Sequence, residues 1–329
     1  MSEIKSENAE ITKVSAIVTT YNRPQEARRA IRSVLAQTYQ ALEVIVVEDG
    51  SDSGIEAWLK QEGWNHVQYV RHVSNKGLAA ARNTGISLTK GEYIGFLDDD
   101  DEWTPERIDR QVQLLDTLTP TQKEKLGVIY CGTEVRYPSF SRVRIDSSAN
   151  KGSLKEAIIQ QGAKTPSSSF LFSKKALQSV GGFDETLLSC IDHDIWMALA
   201  VGGYEAHYVD KPLVINYDRS NRQTMITDTA KRIRGVRQYV EKWIPVYQQW
   251  LGDEQGLAYG EKYFARVMAL LAGQKLAEGK LSEFNQTVHA IFNFSKQHYY
   301  NFSVITQYVV RLVVRRVIPP QIIAWVQGH

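Results

Sequence analysis

The chain reads as an α/β protein: a mixed, mostly parallel central sheet flanked by helices, followed by a helical C-terminal extension. Three observations predict this. Short apolar, β-branched runs alternate with helix-period segments between residues 14 and 97. Polar and acidic residues collect at the C-terminal ends of those runs. After about residue 220 the strand signals stop and amphipathic helical patterns take over.

In chain order, Val14 to Thr20 is an apolar β-branched run, Arg23 to Ala36 has helical periodicity, and Leu42 to Val47 is a second β-branched run, which makes a βαβ unit. Ile55 to Gln61 predicts a short helix, Val67 to Val70 a third strand, Gly77 to Leu88 a helix, and Tyr93 to Leu97 a fourth strand. In parallel sheets of this kind ligands bind beyond the carboxyl ends of the strands. Thr19-Thr20-Tyr21-Asn22 follows the first strand, Glu48-Asp49-Gly50-Ser51 the second, Arg71 the third and Asp98-Asp99-Asp100-Asp101 the fourth, so all four groups are expected on one rim. Farther on, Thr229 to Trp243 and Tyr259 to Leu276 predict amphipathic helices, with breaks near Gly252 and Gly279.

With 329 residues, 43% of them hydrophobic, and a net charge of +2, the chain can bury one large core or two smaller ones. It has no polyelectrolyte character, and no nucleic-acid partner is implied. Met1 to Lys13 lacks the cationic and then apolar order of a secretory signal, which predicts a cytoplasmic protein. Cys131 and Cys190 form no CxxC pair, so neither a zinc knuckle nor a disulfide framework is supported, and both read as reduced, buried thiols.

The four aspartates follow Tyr93-Ile94-Gly95-Phe96-Leu97 directly, and a solvated charge run rarely starts at the end of a buried strand. Like charges this close raise one another's pKa unless a cation joins them. Mg2+ or Mn2+ fits such a cluster: it prefers oxygen ligands, is held by one or two carboxylates, and fills its other positions with water and substrate phosphates. A phosphate-bearing donor follows from that reading. The competing one is an acidic turn leading into a helix, with Pro105 near its start. No GxGxxG follows the first strand and no GxxxxGK[ST] occurs, so neither a dinucleotide fingerprint nor a P-loop is present. A phosphatase pair of aspartates two residues apart would match Asp98 and Asp100. That motif usually ends a first strand and continues with a hydroxyl residue, whereas this one ends the fourth and continues Asp101-Glu102-Trp103.

Val18-Thr19-Thr20-Tyr21-Asn22-Arg23, Val46-Val47-Glu48-Asp49-Gly50-Ser51, Asn75-Lys76-Gly77 with Ala81-Arg82-Asn83-Thr84-Gly85, and Phe96-Leu97-Asp98-Asp99-Asp100-Asp101 form an ordered set. It continues through Gly181-Gly182-Phe183-Asp184-Glu185 and Ile191-Asp192-His193-Asp194-Ile195-Trp196. This set resembles the family 2 glycosyltransferases of GT-A (Rossmann-like) fold, over roughly residues 12 to 218. The resemblance implies an inverting, Mn2+- or Mg2+-dependent transfer from a nucleotide diphosphate sugar, typically a UDP-sugar. The acceptor would be a hydroxyl of a saccharide or lipid-linked saccharide, in the manner of bacterial surface polysaccharide synthesis. It also implies a division into an N-terminal tail (1–12), a catalytic domain (13–220, with a nucleotide-sugar half at 13–103 and an acceptor half at 104–220), and a helical region (221–329).

By the same resemblance, Asp49 receives the base, whose N3–H needs an acceptor, although Asp49-Gly50-Ser51-Asp52 also reads simply as a turn. Thr20, Tyr21 and Arg71 fall on the donor side. Asp98 and Asp100 match the ends of the DxD motif, which makes Asp100 the direct metal ligand and Asp98 a contact to the ribose or to the metal through water; Asp99 is a donor-side residue. Arg82 either contacts the donor or pairs with the acidic cluster. Asp192 matches the second acid of the ED motif, with Ile191 where the Glu would be, and is expected to be the general base; an N-cap reading of Asp192 is compatible with that role. The missing Glu leaves one rival, a noncatalytic sugar-nucleotide-binding or scaffold subunit. A sugar-phosphate nucleotidyltransferase is disfavoured, because its Gly-rich, basic N-terminal phosphate loop is missing.

Acceptor recognition is expected from Thr165-Pro166-Ser167-Ser168-Ser169, with Ser167 and Ser168 as hydrogen-bonding candidates, and from Trp103, which either stacks on a sugar or anchors the next helix. From Lys296 to His329 the chain has Arg311, Arg315 and Arg316 but no acid. Ser303, Gln307, Arg311 and Arg315 recur every fourth residue beside broader apolar surfaces until Pro319-Pro320. This segment reads either as a peripheral contact to an anionic membrane or as a helix packed on the catalytic domain or in a homodimer. No apolar run of about 18 residues is present to span a bilayer.

Overall fold

The computed structural model describes residues 11–137, 142–146, 151–161, 167–217 and 228–317. Thr165, Pro166 and Pro319-Pro320 lie outside them. The order begins β1 (Val14–Thr20), α1 (Pro24–Leu35), β2 (Leu42–Glu48), α2 (Ile55–Gln61), β3 (Gln68–Arg71), α3 (Leu78–Leu88) and β4 (Tyr93–Asp98). It continues with β5 (Asp101–Trp103), α4 (Arg107–Asp116), α5 (Pro120–Lys125), β6 (Leu126–Tyr137), β7 (Arg142–Asp146), β8 (Gly152–Ser153) and α6 (Leu154–Gln161). A 3-10 turn at Ser167–Ser169 leads into β9 (Leu171–Ser173), α7 (Lys174–Ser179), α8 (Ile191–Val201) and β10 (Glu205–Tyr217). Four helices complete the chain: α9 (Thr229–Leu251), α10 (Asp253–Ala277), α11 (Leu281–Phe294) and α12 (His298–Val317).

The strands form one sheet in the order β3-β2-β1-β4-β9-β6-β10-β5, with β7 on β6 and β8 on β10. The β3-β2-β1-β4 side is wholly parallel; β1, β2 and β4 are buried for most of their length, as strands of such sheets are, while the edge strand β3 is not. Val14 to Thr20 is buried at every position, which is why this run shows no polar alternation. Beyond β4 the sheet is mixed: β9 runs antiparallel between β4 and β6, and β10 is parallel to β6. Among the described residues six strands, β5 to β10, lie beyond the four that the sequence predicts. Asp101–Trp103, which the competing reading of the acidic run makes a turn into a helix, pairs antiparallel with Asn216, Ile215 and Val214 of β10. Its three residues carry no periodicity; the long partner strand creates it. The third strand also ends one residue later than expected, at Arg71.

The chain divides into two compact units, one comprising Met1–Glu185 with Ile191–Asn221 and the other Thr186–Cys190 with Arg222–His329. The first holds the sheet and the acidic residues. In the second, α9 carries an N-cap at Asp228, whose side chain accepts from the Lys231 amide. Around α9 and α10, Tyr239, Tyr247, Tyr259 and Tyr263 pack ring against ring. Gly252 (φ 88°) closes α9 and opens α10, so one break terminates both helices where the sequence placed it.

In the first unit, helix α3 lies against β1 at a glycine. A Cβ on Gly85 would stand 2.6 Å from Ile17 Cγ2, and Ile17 is fully buried at the centre of the sheet. Gly85→Ala is expected to destabilise through overpacking and Ile17→Ala by about 2–5 kcal/mol through the cavity it leaves. Because each relieves the other, urea titration should find the double variant less destabilised than the sum of the two; strict additivity would show that α3 is not seated on Ile17.

Candidate active site

The register of the parallel strands brings the rim together. Thr20 lies opposite Glu48 and Thr19 opposite Asp98, so the ends of β1, β2 and β4 are neighbours. Glu48 is fully buried and accepts from the Ser51 hydroxyl (2.7 Å), the Ser53 amide (2.8 Å), the Ser53 hydroxyl and the Tyr69 hydroxyl (2.7 Å). Burial pushes its carboxyl up, yet these hydrogen bonds outweigh that and hold it below the ordinary range. The longer arm of Glu at this position spans the loop that carries Asp49.

Asp49 is itself buried, and its carboxylate accepts from the Lys76 amide (2.8 Å), the Gly77 amide (2.8 Å) and His72 Nδ1 (2.7 Å). The His72 ring meets Thr84 Oγ1 at its other nitrogen, 2.9 Å away, so α3 and the β2 loop are tied through one imidazole. Gly50 is required here: its φ is +77° and a Cβ would lie 2.1 Å from the Asn75 nitrogen. The sequence does not single out His72 and puts Arg71 at the rim end of the third strand. Because β3 starts and ends one residue later than that, at Gln68 and Arg71, His72 occupies the rim. Arg71 pairs instead with Asp52 at 2.5 Å, both side chains well exposed.

The four aspartates separate. Asp99 accepts from Thr20 Oγ1 (2.9 Å), the Tyr21 amide (3.4 Å) and Arg23 Nη1 (3.1 Å). Burial raises its pKa, with Arg23 and Thr20 opposing. Arg23 Nη1 also reaches Asp100 Oδ2 at 2.7 Å. Asp101 is buried on β5, held by the Asn216 amide at 3.0 Å. Burial, with the charges of Asp98 and Asp99 adding to it, pushes its carboxyl up to about 7 against the pull of Ser168 and Arg29. Carboxylate oxygens of Asp98, Asp100 and Asp101 lie within 4.8 Å of one another. An oxygen-only set of this kind, with one member driven toward its neutral form, fits a hard divalent cation.

Asp98 is joined to Asp192 by a single buried guanidinium. Arg82 has no exposed side-chain surface; its Nη2 donates to Asp98 Oδ1 (2.8 Å) and Ser167 Oγ (2.7 Å), and its Nη1 donates to Asp192 Oδ1 (2.5 Å). The cation lies over the rings of Phe96 and Phe183, 5.6 and 5.1 Å from their centroids. Burial alone would lower the pKa of Arg82, but Asp192 and Asp98 more than offset it, and the net direction is upward. The side chains of Asp98 and Asp192 keep 30% and 37% of their surface, so the atoms bound to Arg82 belong to groups that still face solvent. Helix α8 is fixed by Trp196, whose ring packs on Tyr130 and Phe170 at 5.7 and 5.3 Å, and this sets Asp192 in its first turn.

The serines and Trp103 form the floor. Ser167 Oγ donates to Asp98 Oδ2 (3.1 Å), and Ser168 Oγ accepts from the Asp98 amide (3.2 Å). Trp103 is 2% exposed; its indole N–H donates to the Ser168 carbonyl at 2.9 Å, and the Arg107 guanidinium stacks 3.8 Å from its ring. Of the two readings of Trp103, the anchoring one describes its place. Arg107, fully buried and lowered to about 10 by burial, donates to the Phe170 carbonyl, while Gln111 donates to those of Ile129 and Ser169. The serine turn is therefore pinned from α4, its hydroxyls directed to Asp98 and Arg82.

With this geometry in view, the family model for glycosyl transferase family 2 matches residues 15–177. An uncharacterized glycosyltransferase of Rickettsia prowazekii is 31% identical over 259 residues, covering 76% of each chain. The chain belongs to glycosyl transferase family 2. A glycosyl transferase of Escherichia coli named for colanic acid biosynthesis, WcaA, is 42% identical over 97 residues, 29% of this chain and 35% of that protein. The chain spans only 27% of a Rickettsia bellii glycosyltransferase to which it is 34% identical, the match covering 56% of this chain. Among solved structures, Staphylococcus aureus TarS 1–349 in complex with UDP-GlcNAc superposes with a TM-score of 0.58 at 16% identity, covering 93% of this chain and 92% of that one. A Pyrobaculum calidifontis mannosyltransferase in complex with GDP-Man and Mn2+ gives 0.55 at 18% identity, with 93% and 87% covered. These likenesses give the family 2 chain the mixed α/β architecture of GT-A glycosyltransferases, followed by helices.

The raised carboxyl of Asp101 has a sign that can be tested. Its folded pKa of about 7 stands above the 3.8 of a free aspartate, so the native state holds the proton more tightly than the unfolded chain does. Its contribution to stability is then full below about pH 4 and is lost as pH rises through about 7. In EDTA, Asp101→Asn is expected to raise the melting temperature at pH 8 relative to the parent while changing it little at pH 5. An equal shift at both values would remove the titration of Asp101 as the cause.

Proposed function

We propose that this family 2 protein is an inverting, metal-dependent transferase. It moves a sugar from a nucleotide diphosphate sugar, most simply a UDP-sugar, to a hydroxyl of a saccharide or lipid-linked saccharide. The observation that carries the reading is the Arg82 bridge: one buried cation holds the exposed base candidate Asp192 and the donor-side Asp98 in a single hydrogen-bonded unit. Solved neighbours that hold UDP-GlcNAc, or GDP-Man with Mn2+, support the donor class.

In this mechanism the nucleotide lies along the rim from Asp49 to Asp98, with Asp49 the acceptor for the base N3–H and Thr20, Tyr21 and Asp99 on the donor side. Asp100, with Asp98, would hold Mn2+ or Mg2+. When bound, that ion neutralises charge growing on the diphosphate as the glycosidic bond breaks. The acceptor oxygen attacks the anomeric carbon from the face opposite the diphosphate. Its proton passes to Asp192, the new C–O bond forms with inverted configuration, and the nucleoside diphosphate leaves with the bonding electron pair. Arg82 fixes the Asp192 carboxylate during that transfer, and Ser167 does the same for Asp98. Ser167 and Ser168 thus serve the acceptor only indirectly, by shaping the floor against which it is received.

The similarity to WcaA supports a place in bacterial surface polysaccharide assembly. A lipid-linked acceptor would bring the enzyme to the cytoplasmic face of the membrane as a peripheral protein. Among the described residues no helix is long and apolar enough to cross a membrane. The 296–329 segment is the proposed contact.

A panel of UDP-sugars assayed for Mn2+-dependent hydrolysis tests the donor class; no release of UDP from any of them would overturn it. Asp192→Asn is expected to lower turnover roughly 100-fold or more, the usual size of a general-base contribution, with donor affinity nearly unchanged. Near-parental turnover would take Asp192 out of the chemistry. Asp100→Ala should weaken UDP binding in Mn2+ but not in EDTA, and calorimetry giving the parental affinity in Mn2+ would move the metal to other ligands.

A further inference from the structure

In the second unit, helix α12 is packed along one face and uncovered along the other. Asn301 and Val304 are buried, and the Asn301 amide donates to the Ser295 carbonyl at 3.1 Å. Tyr299, Phe302, Ser303, Thr306, Gln307 and Val310 are exposed and line one shallow groove. Their spacing of three and four residues makes a single stripe on a helix. Its aromatic members are unusually open, Tyr299 at 91% and Phe302 at 69% of full exposure.

Beside the start of this stripe lies a concavity of about 460 Å³ formed by Lys262, Lys296, Gln297, His298, Tyr299, Tyr300 and Ser303. Among the described residues two lysines and a histidine line it, and no carboxylate does. The Lys262 ammonium lies 5.7 Å from the Tyr300 ring centroid, held from α10 against the start of α12. The positive character continues in sequence: from Ser295 to His329 the chain carries Lys296, Arg311, Arg315 and Arg316 and no acid. An aromatic stripe beside a cationic pocket is what an anionic bilayer surface selects: rings settle at the headgroup level and each nearby lysine adds electrostatic attraction. A second copy of the same face would bring these cations together without a carboxylate in the lining to receive them.

We propose that this face of α12 beds on an anionic lipid surface. Tyr299, Phe302 and Val310 enter the interface, and the Lys262/Lys296 concavity receives a headgroup phosphate. The inference gives residues to the membrane contact proposed above and is independent of the transfer reaction.

The full chain is floated with vesicles of phosphatidylcholine alone or mixed with phosphatidylglycerol. The parent should float with the anionic vesicles only, less so as salt is raised. Lys262→Glu with Lys296→Glu should weaken binding tenfold or more, and Tyr299→Ser with Phe302→Ser should weaken it on vesicles of the same composition. Donor hydrolysis in solution and the melting temperature should be unchanged in both. A parent that floats while both variants float equally well would overturn this surface and leave the membrane location standing. A parent that stays with the pellet would overturn both. If the variants instead convert a dimer to a monomer in light scattering while vesicle binding persists, the face belongs to a second copy and the proposal fails.

Discussion

The arrangement of the site depends on burying the Arg82 guanidinium. A fully desolvated arginine is costly unless its charge is matched and its donors are used. Here two carboxylates and one hydroxyl meet its terminal nitrogens, and two aromatic rings cover it. None of these partners is local in sequence to all the others: Arg82 sits on α3, Asp98 at the end of β4, Ser167 in the serine turn and Asp192 on α8. Satisfying one cation therefore constrains four elements at once. The same constraint explains why Asp98 and Asp192 can remain partly exposed without wandering: each offers one oxygen to a fixed donor and keeps the rest of its carboxylate toward solvent.

Charge is balanced in layers around that bridge. Arg23 spans Asp99 and Asp100 from the start of α1, and Arg82 spans Asp98 and Asp192, but Asp101 is held by a neutral amide. It is the member of the run whose carboxyl burial drives up to about 7. Carboxylate oxygens of Asp98, Asp100 and Asp101 nevertheless converge, while Asp99 is turned to Thr20 and Arg23. Four consecutive residues of one type take different roles because the end of β4 turns at Asp99 and Asp100 into the short strand β5 and gives each side chain different neighbours.

Most of the first half of the fold was legible in the sequence because parallel, doubly buried strands write continuous β-branched runs, and the helices between them are amphipathic. Val14–Thr20 and Ile55–Gln61 have the bounds that their patterns predict. What was illegible depends on partners distant in sequence. Strand β5 exists only because β10 presents an edge to it, and His72 reaches the rim only because β3 is shifted by one residue, with Arg71 paired to Glu48. In the site, the types and order of Asp49, Arg82, Asp98 and Asp192 could be read, and so could the choice between donor contact and acid pairing for Arg82. The pairing itself could not, since a side chain's hydrogen-bond partners are set by tertiary geometry. The serines looked like loop hydroxyls offered to a sugar; three buried side chains of β5 and α4 turn them into the floor.

The replacement of the expected Glu by Ile191 can be understood in the same terms. In this chain Asp192 needs no neighbouring acid to be oriented, because Arg82 takes one of its oxygens and α8 is seated by Trp196 on Tyr130 and Phe170. A second carboxylate at position 191 would add like charge next to Asp192 in the first turn of α8. An apolar residue there adds none. The Arg82 bridge supplies a fixed partner for Asp192 without a Glu at position 191. The observation that most favoured a noncatalytic scaffold on sequence grounds is accounted for by the way this chain distributes charge around one buried cation.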